Sequence, residues 1–315
     1  MKGLLEFLAA KGSEFVFHQE EWHFPFTMKT RGLKGGLWEV DASASSQILS
    51  ALMMVAPLCE EAVTIRLIGD TVSKPFIQMT ADMMKQFGAE IECKNDYHCP
   101  ENSHYRRTEP EYQIEPDATA ASYFFTLPYV AGGQIRIEGL EKNPLQGDID
   151  YLKILTSLGF YVEWDRNIIR VIAPNSLVNG GHFNFNPISD TFLTLAAISP
   201  ILKTPTTITG IAHTRKQETD RISAMATELK KLGQDVTETE DSIHIKPSIE
   251  NLKMAAQKNP IIHTYEDHRV AMSFGILGSY NLFGDLRPWL KIEDPYCCAK
   301  TFPHFFKELE KIRLS

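Results

Sequence analysis

Between Gly210 and Gly233 the chain reads GIAHTRKQETDRISAMATELKKLG, with Arg215, Lys216, Glu218, Asp220 and Arg221 inside seven residues. The second half has the pattern of an amphipathic helix, so the charges crowd at its mouth. Asp220 and Glu218 suit the positive end of a helix dipole, whereas Arg215 and Arg221 oppose it. The stretch YEDHRVAM repeats the anomaly, with Arg269 at a helix start behind Asp267 and His268, and CCAKTFP supplies Lys300 at a third start. Cations so placed are held by neighbouring carboxylates, which leaves guanidinium forks and an ammonium for an anion. A surface ion pair is the plainer account of any one of them; three at equivalent places point to an anion site. Asp190, in ISDTFLTLAA, heads an apolar run, where it either caps a helix or accepts a proton from a substrate hydroxyl. SASSQ, from Ser43 to Gln47, sets hydroxyls and an amide at another helix start. Free N–H groups there attract phosphate, although a single serine cap explains part of the cluster. Ser73 and Lys74 precede Pro75 in a turn that on its own reads as a cap.

These residues recur because the elements that carry them recur. A turn, an amphipathic helix, Leu/Phe-Gly and a strand follow Gly69, Gly139 and Gly210, starts 70 and 71 residues apart. Fainter copies lie at the two ends, KGLLEFLAAKGSEFVF and DPYCCAKTFPHFFKELEKI. A second half-unit alternates with the first: a short strand, a polar cluster and an apolar helix. Its copies are WEVDASASSQILSALMMVAPL, YQIEPDATAASYFFTLPYVAGG, FNFNPISDTFLTLAAISPIL and IIHTYEDHRVAMSFGILGS. Helices apolar on most faces are predicted to be buried and amphipathic ones peripheral. The joining segments AVTIRLIG, GQIRIEGL and TTITGI read as strands. The fold class expected is therefore α/β (α+β repeats), with units of strand, buried helix, strand, outer helix and strand pair stacked on the buried helices.

The 315 residues suffice for one large or two medium domains, and 43% hydrophobic with 23% charged residues is the balance of a soluble globular chain. A net charge of -8 argues against a general nucleic-acid binder while allowing a local cationic pocket. No apolar run reaches the roughly 20 residues of a membrane span. At the N-terminus, Glu6 and Lys11 interrupt the apolar run, which fits a helix of a folded domain better than a signal peptide. Cys59, Cys93, Cys99, Cys297 and Cys298 show no CxxC spacing and are odd in number, as expected of reduced thiols in a cytoplasmic protein. No metal motif is visible.

SSQ, SKPFI, ISDTF, RKQETDRISAMATELKKLG, YEDHRVAM and DPYCCAKTFP occur in the order found in the 5-enolpyruvylshikimate-3-phosphate synthase family, and the resemblance spans essentially the whole chain. It implies an enolpyruvyl transferase-like fold of two similar domains built from repeated βαβαββ units. It implies transfer of the enolpyruvyl group of phosphoenolpyruvate to the 5-hydroxyl of shikimate 3-phosphate, with release of phosphate and without metal or organic cofactor. By motif, Ser45, Ser46, Gln47 and Ser73 would hold shikimate 3-phosphate. Asp190 would bind its hydroxyls and act as base, and Glu218 would move the proton at the methylene carbon of phosphoenolpyruvate. Arg221, Arg269 and Lys300 would bind the phosphoenolpyruvate carboxylate and phosphate, Gln47 would reach both substrates, and His268 would help to position Arg269. No nucleic-acid or membrane partner is implied.

The chain departs from the family pattern in places. Gln217 stands where the family usually has Lys, with Lys216 one residue earlier as a substitute cation. His213 stands for a substrate-binding Asn and Phe76 for a Tyr. About the first quarter of the family chain has no counterpart ahead of Met1, including cationic and glycine-rich segments that contact the substrates. The expected division is residues 1–110 as the rest of a first domain and 111–315 as a second domain of three repeats lacking its first strand. A full-length member is expected to be monomeric, and a shortened chain to risk self-association. Two alternatives stand beside the enzyme: an inactive fragment or shikimate 3-phosphate binding protein, and the related transferase acting on UDP-N-acetylglucosamine. The latter relies on a loop Cys that has no match here.

Overall fold

The computed structural model describes residues 2–42, 46–69, 74–106, 110–142 and 144–313, and divides into two compact units, Met1–Ile114 and Glu115–Ser315. The first holds α1 (Lys2–Ala10), the antiparallel pair β1 (Glu14–Phe17) and β2 (Phe26–Lys29), then β3 (Gly36–Val40), α2 (Ser46–Val55), β4 (Val63–Leu67), α3 (Lys74–Gln86), β5 (Glu92–Cys93) and β6 (Tyr97–Cys99). Strands β3 and β4 run parallel on either side of α2, and the sheet continues antiparallel in the order β3-β4-β6-β5. Trp38 and Val40 alternate inward with period two and meet Leu49, Leu52 and Met53 of α2 in one core.

The second unit comprises α4 (Ala118–Ala131), β7 (Gln134–Glu138), α5 (Tyr151–Ser157), β8 (Tyr161–Asp165), β9 (Ile168–Ile172), β10 (His182–Asn184), α6 (Phe192–Ile198), β11 (Thr206–Thr209), α7 (Arg221–Lys231), β12 (Asp235–Glu238), β13 (Ser242–Lys246), α8 (Ile249–Ala256), β14 (Ile261–Ile262), α9 (His268–Gly278), β15 (Lys291–Ile292) and α10 (Phe305–Arg313). The sheet β10-β11-β13-β12 reproduces the order and strand senses of β3-β4-β6-β5, so the repeat read from the sequence is a repeat of topology. The third sheet is only β7-β9-β8. Here the expectation of a strand at YQIE fails: residues 112–115 pair with no strand among the described residues, and the Glu115 carboxylate is occupied instead with Leu145 N–H and Gln146.

The apolar helices α4, α6 and α9 are buried and the amphipathic α3 is peripheral, whereas α2 keeps Gln47 and Met54 exposed and α7 is largely buried, from Arg221 to Leu229. Helices α4, α6 and α9 pack on one another at the heart of the second unit, and every residue of α6 is buried. Two pairs of hydroxyls meet inside this layer: Ser122 Oγ lies 3.0 Å from Thr194 Oγ1, and Thr126 Oγ1 lies 2.9 Å from Tyr151 Oη. The polar clusters that precede the helices cap them. Asp117, Asp220 and Asp267 accept from Ala120, Ser223 and Arg269 N–H at the starts of α4, α7 and α9. Gly210 has φ +78°, and a Cβ there would run into Asn184 and Asn186. That close approach lets Asp241 fix Gly210 and Ala212 N–H and so set the turn that leads into α7.

Phe274, wholly buried on α9, is a test of this layer. Phe274→Ala should cost about 3–5 kcal/mol in urea unfolding. A loss near zero would mean that the helices are not close-packed around it.

Candidate active site

Arg221 is the first residue of α7 and is 1% exposed. A guanidinium so deeply buried survives only if its donors are taken. Its Nε donates to Asp267 Oδ2 at 2.7 Å, its Nη1 to Asp190 Oδ1 at 2.9 Å and to Gln217 Oε1 at 2.5 Å, and its Nη2 to Glu218 Oε2 at 2.6 Å. Arg269, on the first turn of α9, donates through Nη2 to Asp190 Oδ2 at 2.8 Å. Lys300 pairs with Glu218 Oε1. Asp190, Glu218, Arg221, Arg269 and Lys300, five of the residues singled out in the sequence, therefore form one connected network within the second unit.

The placements correct the sequence reading in several respects. Asp190 does not cap a helix. It lies on the 3₁₀ turn Asn186–Thr191, and its carboxylate turns to the two arginines. Lys300 ends the 3₁₀ turn Pro295–Lys300 rather than opening a helix, since Pro295 starts that turn and α10 begins only at Phe305. The guanidinium of Arg221 is not left free. Arg215 is a structural tie: it bonds Asp220 at 2.7 Å, Glu238 at 3.2 Å and the Thr239 carbonyl at 2.6 Å. Lys216 stays exposed and takes no place in the network among the described residues, because Gln217 fills the gap. The Gln217 amide donates to Asp190 at 3.2 Å and accepts from Arg221, a double role open to an amide and closed to a lysine.

Ser46 and Gln47 begin α2 in the first unit, with Ser46 buried and Gln47 exposed but engaged. Ser45 and Ser73 lie outside the described residues. Asp267, Gln217 and Asp148 join the site without having been singled out as site residues. For Asp267 the signal was present, an acid directly before His-Arg at a helix start. For Asp148 it was only a GDID turn after Gln146.

Electrostatics separates the carboxyls. Burial would raise the pKa of Asp190, but the charges of Arg269 and Arg221 outweigh it and leave the group below its ordinary value. Burial likewise opposes the ionised form of Glu218, yet the Lys300 hydrogen bond and Arg221 hold it at about 2. Asp148 is the reverse case: burial first, and then the negative charge of Asp190, lift it to about 6. His268 is lowered by burial and by the charge of Arg269. Among the described residues neither of its ring nitrogens has a hydrogen-bond partner, and its Nδ1 stands 3.9 Å from Asp267, beyond hydrogen-bond reach. His213 is lowered by burial, and its Nε2 lies 2.7 Å from Ser189 Oγ. Among the described residues no cluster of His, Cys, Asp or Glu could hold a metal ion. Chemically the site offers two arginines and a lysine for an anion, beside two carboxylates able to exchange protons.

Residues 1–309 match the family model described as EPSP synthase (3-phosphoshikimate 1-carboxyvinyltransferase). The 3-phosphoshikimate 1-carboxyvinyltransferase of Opitutus terrae is 47% identical over 99% of this chain and 68% of its own length. That of Haemophilus influenzae is 37% identical over 99% of this chain and 69% of its own. Among solved structures, EPSP synthase from Acinetobacter baumannii superposes with a TM-score of 0.74 at 23% identity, over 99% of this chain and 70% of that one. The enolpyruvyl transferase NikO from Streptomyces tendae gives 0.70 at 13% identity, over 98% and 70%. These two establish the fold.

Two outcomes are expected of the network. Arg221→Leu strands the wholly buried Asp267 carboxylate and should cost about 3–5 kcal/mol in chemical denaturation; a near-neutral result would deny that the guanidinium holds α7 to α9. Asp148 has a folded pKa above its unfolded one, so its stabilising contribution is present below about pH 4 and lost as pH rises through about 6. Asp148→Asn should therefore gain on the parent by about 1–3 kcal/mol between about pH 5 and about pH 8 in urea midpoints. A gap that stays flat would contradict the burial of an ionising carboxyl.

Proposed function

The chain belongs to the EPSP synthase family, and on that premise we propose that its second unit carries the reacting groups for enolpyruvyl transfer from phosphoenolpyruvate to the 5-hydroxyl of shikimate 3-phosphate, releasing phosphate. This is a step of the shikimate pathway toward chorismate and the aromatic amino acids. Asp190 takes the proton of the 5-hydroxyl as its oxygen bonds to C2 of phosphoenolpyruvate. Glu218 delivers a proton to C3, which makes a methyl group and a tetrahedral intermediate. Loss of phosphate from C2, which takes up the proton held by Asp190 as it leaves, and return of a C3 proton to Glu218 then restore the double bond in the product and both carboxyls to their starting states. Arg221, Arg269 and Lys300 bind the carboxylate and phosphate of phosphoenolpyruvate and offset the charge that develops. Ser45, Ser46, Gln47 and Ser73 are the further residues that the family resemblance offers to shikimate 3-phosphate. The work is proposed to take place in the cytoplasm. No described helix is long and apolar enough to cross a membrane.

The observation that supports this reading most is the convergence of Arg221, Arg269 and Lys300 on just two carboxylates, Asp190 and Glu218, besides the buried Asp267. It also suggests how Glu218 changes role. With its resting value near 2, held by Lys300 and Arg221, it carries no proton. When an incoming anion takes those cations, the groups that depress its pKa are drawn away and burial then favours the protonated acid.

The test is phosphate release from phosphoenolpyruvate by the purified chain. Release should depend on shikimate 3-phosphate, and Asp190→Asn and Glu218→Gln should each lower it by about 10²–10⁴-fold. Tight binding of shikimate 3-phosphate without any phosphate release would support a binding protein instead. Undiminished release in both variants would remove Asp190 and Glu218 from the chemistry.

A further inference from the structure

Two turns along α7 from Arg221, on the same face, lies a second buried charge, Glu228, 1% exposed and remote from any substrate role assigned above. Its Oε1 accepts from the Tyr265 hydroxyl at 2.9 Å. Its Oε2 accepts from the His263 N–H at 3.2 Å and from Lys231 Nζ at 2.6 Å. Lys231 donates in turn to the Ile261 carbonyl at 3.0 Å. Glu228 thus fastens the residues after β14 onto α7, and Lys231 fastens β14 itself. The His263 ring meets Tyr265 edge-on at 4.5 Å, which fixes the direction of the phenol. Burial and the bond to Glu228 raise the Tyr265 pKa to about 12, so the phenol keeps its proton and stays a donor.

The backbone beneath this phenol is unusual. Tyr265 has φ +56° and Glu266 has φ +57°, two consecutive non-glycine residues in the left-handed region. That conformation is unfavourable for both and persists only where the surroundings over-determine it. The turn is closed by Asp267 N–H on the Thr264 carbonyl at 2.9 Å, and it delivers Asp267, His268 and Arg269 to the start of α9. Helix α7 therefore grips this segment twice, through Arg221 on Asp267 and through Glu228 on Tyr265.

We infer that Glu228 and Tyr265 are positioning residues: their hydrogen bond holds the left-handed 265–266 turn that aims Arg269 at the anionic substrate and seats Asp267 on Arg221. The inference rests on the reading of Arg269 as a phosphoenolpyruvate ligand. Neither brace residue touches substrate, so its loss acts on the alignment of Arg269.

The experiment uses the full chain with Tyr265→Phe and Glu228→Gln, both of which keep shape. Each should raise KM for phosphoenolpyruvate about tenfold while kcat stays within about twofold. Backbone amides of residues 267–271 should exchange with solvent about tenfold faster. Adding Glu266→Gly to Tyr265→Phe supplies a residue at ease with positive φ and should recover most of the KM, which a general loss of stability would not do. Unchanged exchange in both variants overturns the brace. Faster exchange with an unchanged KM overturns its link to the substrate. A parent chain that neither binds nor turns over phosphoenolpyruvate, with exchange still accelerated in the variants, overturns the site reading and leaves the brace standing.

Discussion

A guanidinium buried to 1% exposure and held by Asp190, Glu218 and Asp267 is the constraint around which the second unit is arranged. Burying one charge without partners is prohibitive, so the three carboxylates have to arrive together. They come from the 3₁₀ turn before α6, the loop before α7 and the cap of α9. Each position serves the fold as well as the charge. Asp267 caps α9 through the Arg269 N–H while its other oxygen takes Arg221. The packing of α6 and α9 on each other and on α7 thus has a polar key at the end where these helices begin.

Gln217 shows how tightly the key is cut. A side chain that both donates and accepts lies between Asp190 and Arg221. A lysine in its place would add a third positive group beside two guanidinium groups and take away an acceptor. The departure from the family pattern at this position is compatible with the network because the amide completes it.

Much of the architecture was legible in the sequence. The alternation of all-round apolar helices with amphipathic ones is a statement about which faces meet water, and it held for α4, α6 and α9 against α3. It failed for α2, which leaves Met54 exposed, and for α7, which buries Arg221, Ile222, Ala224, Met225, Ala226, Glu228 and Leu229. Residues 112–115 read as a strand because YQIE opens a copy of the repeated half-unit, but a strand exists only if a neighbour accepts its hydrogen bonds, and among the described residues none does. The cations at Arg221, Arg269 and Lys300 were visible from their types and places, whereas their pairing was not. Asp267 lies 46 residues from Arg221, and Asp190 lies 79 from Arg269. Separations of that size are bridged by packing, which no local pattern encodes. Lys300 was misplaced because Pro295 shifts the helical turn ahead of it.

The ion-pair network of Arg221, Arg269 and Lys300 is electrically balanced: three positive side chains are answered by the carboxylates of Asp190, Glu218 and Asp267. Beyond a Debye length of about 8 Å such a cluster presents almost no field. If the cluster is the substrate site, as proposed, it adds little attraction of its own for a phosphorylated metabolite at a distance. On that reading discrimination would begin only at contact, where an anion must outbid carboxylates already in place.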